Sequence, residues 1–204
     1  MTTHGPDRSA SARAFDACEL HALELIRTAH DLDLVTAARD TALDSLHQRY
    51  GTPENENTAY LAGATAQRSA VFLQVATHFG ADDNAAILKA LRQHTRTSGA
   101  TPLHTYTYEV AVELIDFAAH RVTEDNPFSK DFTILWYQLL SLHGPDAQAF
   151  LPVALATLGR FLAPLAATAR SHPLDEYLNM CERGAMDTHE YERECWEMGF
   201  DPYE

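Results

Sequence analysis

Three acidic residues and a histidine recur at helical spacing in the middle of the chain. Glu109, Glu113, Asp116 and His120 fall within about 60° of one another on a helical wheel. Carboxylates and imidazole are good ligands for a divalent metal ion. The pattern therefore predicts a metal site for an enzyme or sensor, a solvated helix edge, or an internal ion pair. The solvated edge is the favoured interpretation.

The segment that carries these residues, TYTYEVAVELIDFAAH at 105–120, also alternates polar and apolar residues as a strand does. A strand needs a pairing partner, and no other segment of the sequence alternates as cleanly. We therefore predict a helix near 103–124. Stacked carboxylates on its edge repel by about 0.2–0.5 kcal/mol per pair, and no lysine or arginine shares that edge.

Other motifs for catalysis or cofactor binding are missing from the sequence. There is no P-loop, no Rossmann glycine pattern and no Gly-x-Ser-x-Gly elbow. A second acidic run with a histidine, Asp40, Asp44 and His47, lies away from the apolar face of its helix, so we expect it in solvent. The only cofactor that the sequence suggests is a divalent ion on the edge of helix 103–124.

A basic stripe precedes that helix. Lys89, Arg92 and Arg96 lie at i, i+3 and i+7, and no acidic residue lies between Asp83 and Glu109. These three side chains are candidates for binding an anion. A solvated helix face is the favoured interpretation, and docking of the acidic C-terminal segment onto the stripe is the third.

The C-terminal segment carries more than half of the net charge. Residues 175–204 contain ten acidic and two basic residues, a net charge of −8. Aromatic anchors among acidic residues suit a segment that docks on another protein, although a terminal helix packed on its own domain shows the same pattern and is favoured. The candidate partner-binding residues are Tyr191, Trp196, Met198, Phe200, Glu190, Glu194 and Glu197.

The charge and cysteine content bound the class of partner and the compartment. A net charge of −14, from 29 acidic and 15 basic residues, argues against direct binding to nucleic acid or an anionic membrane and favours a basic protein. Three cysteines without CxxC spacing indicate a reducing cytoplasm. The N-terminus has no signal-peptide pattern. Residues 150–169 are apolar enough for a membrane span, but Arg160 near their centre favours a buried core helix.

Glycine and proline positions divide the chain into helices. Glycines that follow helix-periodic segments should end helices in the left-handed conformation; they are Gly51, Gly80, Gly99, Gly144, Gly184 and Gly199. Three signals should begin helices: N-cap Thr52 before Pro53, N-cap Thr101 before Pro102, and a capping box of Asp187 with Glu190. The predicted helices are 9–30, 33–50, 53–79, 82–98, 103–124, 130–143, 146–170, 174–183 and 188–198.

These helices predict an all-α fold, a multi-helix bundle of helical hairpins. A short α-solenoid is the alternative, because a loose repeat recurs around Pro53, Pro102 and Pro145. We expect a helical domain at 1–173. An acidic, aromatic helical segment at 174–204 should pack on this domain or dock from it.

The functional expectation is a cytoplasmic protein, without enzymatic activity, that binds another protein through acidic surface. Adaptor, inhibitor, and immunity or antitoxin-like roles all fit a basic partner. One alternative is a metal-dependent enzyme or sensor at Glu109, Glu113, Asp116 and His120. Another is a homo-oligomer subunit whose tail completes a neighbouring copy.

Overall fold

The computed structural model describes residues 10–80, 83–97, 102–121 and 130–198, with the side chains of 17–80, 83–95, 104–120 and 144–186. These residues form helices and no strand. The helices are α1 (Ala10–Thr28), α2 (Leu32–Tyr50), α3 (Glu54–Phe79), α4 (Asn84–Thr97), α5 (Pro102–Arg121), α6 (Lys130–Ala169) and α7 (Leu174–Met198). The all-α prediction is confirmed, including the helix across 105–120.

Local capping explains the bounds of α2. The side chain of Asp31 accepts hydrogen bonds from the backbone N–H groups of Asp33 and Leu34, at 2.9 and 3.1 Å, which satisfies donors that have no partner inside the helix. At the other end Gly51 has φ 66° and ψ 16° and donates its N–H to the His47 carbonyl. The prediction that Gly51 ends a helix in the left-handed conformation is confirmed.

Two predicted caps around α3 are wrong. The N-cap position is Pro53 and not Thr52, because Thr52 is buried and its hydroxyl donates a hydrogen bond to the Asn57 side chain instead. At the far end Gly80 has φ −93° and ψ −175°, which is extended backbone and not the left-handed conformation. The chain leaves α3 at Gly80 in an extended direction.

Gly144 interrupts a helix as predicted, whereas Gly184 does not. Gly144 has φ 71° and ψ −170° and interrupts α6, so the predicted separation near 144 is confirmed. Gly184 lies inside the continuous helix α7, so the predicted helix end at 183 and the new start at Asp187 with Glu190 are wrong. Glycine weakens a helix by about 1 kcal/mol, and the buried contacts of Tyr177, Leu178 and Ala185 hold α7 together across it.

The core is built around a close contact between α3 and the second segment of α6. A Cβ atom on Gly159 would lie 2.5 Å from the Ser69 hydroxyl and 2.9 Å from Ile26, so α1, α3 and α6 approach as closely as a glycine allows. Farther along, a Cβ on Gly80 would lie 3.9 Å from Ala169. The two helices therefore run side by side in the same direction.

The packing of α6 decides between a bundle and a solenoid. Besides α3, α6 packs on α5, α1, α2 and α7. In a solenoid each unit contacts only its neighbours in the chain, whereas α3 packs most extensively on a helix that follows much later. The described helices therefore form a multi-helix bundle in which α3 and α6 are central.

One described helix, Gly144–Ala169, has the length and composition of a membrane span, with mean hydropathy 1.6 and 61% of its apolar window buried. Leu151, Leu155, Leu158 and Leu162 on this segment are fully buried, and Arg160 is half-buried. The segment supplies much of the core of the bundle.

Candidate functional site

The acidic edge of α5 is largely in solvent. Glu109 and Glu113 are exposed, and the His120 side chain is 69% accessible. The Nδ1 atom of His120 lies 2.8 Å from the Asp116 carbonyl and 3.3 Å from Asp116 Oδ1. Within the described part of the chain, no three His, Cys, Asp or Glu side chains come together as a metal site. The metal interpretation therefore has no geometrical support among these residues.

The second acidic run lies on the outer face of α2. Asp40, Asp44 and His47 are exposed and border a shallow depression with Leu43 and Glu54. Two of the polar groups already have partners. Arg39 donates hydrogen bonds to Asp40, and the ring Nδ1 of His47 lies 3.1 Å from the Thr52 carbonyl. The arrangement is that of a solvated helix face.

The basic stripe lies on α4, on the flank of the bundle formed with α5. Lys89 and Arg92 are exposed, while the side chain of Arg96 lies outside the described side chains. The ring of His94 contacts Phe161 of α6, with ring centroids 5.3 Å apart. Two neighbouring exposed cations give this face a local positive charge but no enclosed anion site.

The partner-binding candidates lie at or beyond the C-terminal end of α7. Tyr191, Trp196 and Met198, together with Glu190, Glu194 and Glu197, belong to the helix, but their side chains lie outside those described. Phe200 lies outside the described residues. The prediction that these residues bind a partner stays a prediction.

The described half of α7, residues 174–186, has an inner and an outer face. The inner face buries Tyr177, Leu178 and Ala185, and the Tyr177 ring lies 5.8 Å from the ring of Phe72 on α3. The outer face presents Met180 and Met186, of which 41% and 57% are accessible. One side of the helix is anchored, and the other offers exposed apolar side chains.

An ion pair at the surface ties α7 to α1. Arg27 donates a hydrogen bond to the Glu182 carboxylate at 2.8 Å and another to the Asn179 side-chain oxygen at 2.9 Å. The Arg27 and Glu182 side chains are 30% and 32% accessible. Exposed ion pairs contribute about 0–1 kcal/mol, and this pair, together with the hydrogen bond to Asn179, attaches α7 to α1 at the surface.

A partly buried polar cluster lies against α7 and joins three helices. Arg68 of α3 pairs with Glu19 of α1 and interacts with Tyr177 and Cys181 of α7. Burial lowers the pKa of Arg68, but an arginine stays charged in any case. Only 15% of the Arg68 side chain is accessible, so the docking of α7 takes a guanidinium out of water.

The groups that α7 adds to this cluster are held in their neutral forms. Burial raises the pKa of Tyr177 to about 12, and burial also raises the pKa of the Cys181 thiol, against the opposing effects of Arg68 and of a hydrogen bond with Tyr177. A cysteine nucleophile needs a lowered pKa. The cluster is therefore suited to holding helices together and not to nucleophilic catalysis.

Sequence periodicity did not reveal this cluster, because its residues come from three helices that are distant in the chain. One signal was present. Arg68 is the only Asp, Glu, Lys or Arg between Thr58 and Phe79, in a helix otherwise rich in small and apolar residues. An isolated charge on a buried helix needs a partner, and here the partner is Glu19.

Comparisons with protein-family models, with curated proteins and with solved structures find no match to this chain. A function for this chain therefore has to follow from the chemistry of its own surfaces.

Proposed function

We propose that the protein acts without catalysis, by binding another protein with a basic surface, and that the outer face of α7 makes the contact. The observation that carries this proposal is the exposure of Met180 and Met186 on a helix whose opposite face is buried in the bundle. The setting is proposed to be the cytoplasm, because the three cysteines of the sequence are an odd number without CxxC spacing.

The exposed methionines suit recognition better than folding. A methionine side chain is unbranched and polarizable, so it adapts to differently shaped partners and is common on binding surfaces. The inner-face residues Tyr177, Leu178 and Ala185 already anchor the helix. Met180 and Met186 are then free to bury their surface against a partner.

The charge around these methionines selects the partner. Asp175 and Glu176 are exposed on the same helix, and residues 175–204 together carry a net charge of −8, from ten acidic and two basic residues. Complementary charge speeds association, while buried apolar contacts slow dissociation. Trp196 and the other aromatic residues near the C-terminus are proposed as further apolar anchors, because tryptophan is enriched among binding hot spots.

Affinity purification from native cells tests this proposal. The wild-type protein is compared with a Met180→Ser/Met186→Ser variant and with a matched Leu32→Ser/Leu34→Ser variant. The two control leucines are 55% and 49% accessible, but they lie on α2. We expect a basic protein to be retained by the wild type and the α2 variant and lost from the α7 variant, while circular dichroism shows all three folded.

Equal recovery of the partner with the α7 variant would contradict the proposed surface. Recovery of acidic partners alone would contradict the proposed charge preference. A basic partner that is lost from the α2 variant instead would move the contact to α2.

A further inference from the structure

The connection between α6 and α7 is short and adopts an unusual conformation. Ser171 has φ 60° and is the one non-glycine residue with a positive φ in the described part of the chain. Its N–H donates to the Thr168 carbonyl, and the N–H of His172 donates to the Ala167 carbonyl, both at 2.9 Å. This is the Schellman arrangement, in which glycine normally occupies the position of Ser171. A side chain in the left-handed region strains the turn.

The groove that receives α7 is only partly apolar. Tyr177 packs on Phe72, but Arg68, Glu19 and the Arg27–Glu182 pair line the same contact. When α7 leaves the groove, Arg68 regains water, which offsets part of the apolar contact that is lost. Separating α7 from its groove therefore costs less free energy than separating α3 from α6, whose contact is apolar.

We propose that α7 is exchanged between two copies of this chain, so that the surface formed by α1 and α6, with Phe72 and Arg68 of α3, takes the α7 of the other copy. The exchange opens the turn at Ser171 and relieves its strain in both copies. The described contacts of α7, including Arg27 with Glu182, re-form between the copies with the same chemistry. Exchange of an identical element is a low-cost route to a dimer, and short strained hinges favour it.

This inference uses the inner face of α7, whereas the proposed function uses the outer face. An exchanged α7 still presents Met180 and Met186 outward. The two proposals can therefore fail separately.

A charge-reversal complementation experiment tests the exchange. Arg27→Glu places two acids opposite each other in the unexchanged copy, and Glu182→Arg places two arginines there. When the two variants are mixed, exchange of α7 restores an oppositely charged pair in both grooves. The variants are incubated together at high protein concentration just below the melting temperature and examined by native mass spectrometry. We expect a mixed dimer in excess over either homodimer.

Two further arms keep the experiment decisive. Wild-type chains labelled with light and heavy nitrogen should also form mixed dimers, which requires no substitution. A Gly-Ser-Gly-Ser insertion after Ser171 relieves the turn within one copy and should reduce the dimer fraction. Monomers alone at every concentration, a mixed dimer in no excess over the homodimers, or a dimer fraction unaffected by the insertion would overturn the proposal.

Discussion

Gly159 lies where α1, α3 and α6 approach one another closely. Ser69 and Ile26 leave no room for a Cβ atom at this position, and the Ser69 hydroxyl lies 3.4 Å from the Leu155 carbonyl. Gly184 is also inside a helix, but a Cβ atom there would meet nothing within 4 Å. Alanine at either position raises the helix propensity, but only alanine at Gly159 would collide with neighbouring side chains.

We expect Gly159→Ala to be less stable than Gly184→Ala by about 1–3 kcal/mol, the usual effect of overpacking a core. Both substitutions gain the same helix propensity, about 1 kcal/mol, so the difference between them isolates the contact at Gly159. Urea denaturation of both variants and the wild type measures it. Equal stabilisation by the two substitutions would show that α6 is not closely packed on α1 and α3.

Tyr177 provides a pH-dependent test of the docking of α7. Burial raises its pKa to about 12, whereas an exposed tyrosine ionises near pH 10. Because the folded state holds this proton more tightly, the contribution of Tyr177 to stability is present below pH 10 and is lost as the pH rises towards 12. Absorbance titration should show one phenol ionising near 12 that is missing in Tyr177→Phe. A phenol that ionises near 10 at this position would contradict the buried contact with α3.

At the scale of the helices, local signals predicted most of the fold. Residues 105–120 fit both the alternation of a strand and the period of a helix. Because no other segment could pair with such a strand, we predicted a helix, and α5 confirms it. The predicted helix end at Gly184 was wrong. Burial of Tyr177, Leu178 and Ala185 against other helices keeps α7 continuous there, and such tertiary contacts are not visible in the local sequence. The sequence marks Arg68 as an isolated charge but not its partners, since no single periodic pattern encodes how α1, α3 and α7 lie relative to one another.

The acidic edge of α5 is a second case in which the sequence alone could not show contacts between helices. The sequence placed Glu109, Glu113, Asp116 and His120 on one face, but it could not show whether another helix adds ligands. In the structure Glu109 and Glu113 are exposed. Among the described residues, no three His, Cys, Asp or Glu side chains cluster closely enough to hold a metal ion.

We expect a chelator to leave the melting temperature of the purified protein unchanged, because an ion that binds only the folded state would stabilise it by mass action. Differential scanning fluorimetry with and without a chelator measures this, and Asp116→Asn serves as the comparison. A fall in melting temperature on chelation that Asp116→Asn abolishes would establish a metal site on α5.

At the scale of the whole molecule, negative charge dominates. The net charge of −14 makes the folded protein repel itself, and added salt screens that repulsion over a Debye length of about 8–10 Å near physiological ionic strength. The Arg27–Glu182 pair is partly buried and is therefore screened less than the exposed acidic side chains, so salt should weaken this attraction less than the repulsion.

The melting temperature should therefore rise as sodium chloride is added from low to physiological concentration. Circular dichroism at 222 nm follows the transition, with the Arg27→Ala variant as the comparison for the surface ion pair. A melting temperature that falls with salt would show that attractive pairs, and not net charge, govern stability.

Photo-crosslinking in native cells shows whether the outer face of α7 binds a basic protein. A photoreactive amino acid replaces Met186 in one variant and Leu34 in another, residues that are 57% and 49% accessible on different helices. We expect a crosslinked protein with a basic isoelectric point from position 186 and none of that protein from position 34. The same crosslinks from both positions, or a basic protein captured only from position 34, would contradict this expectation.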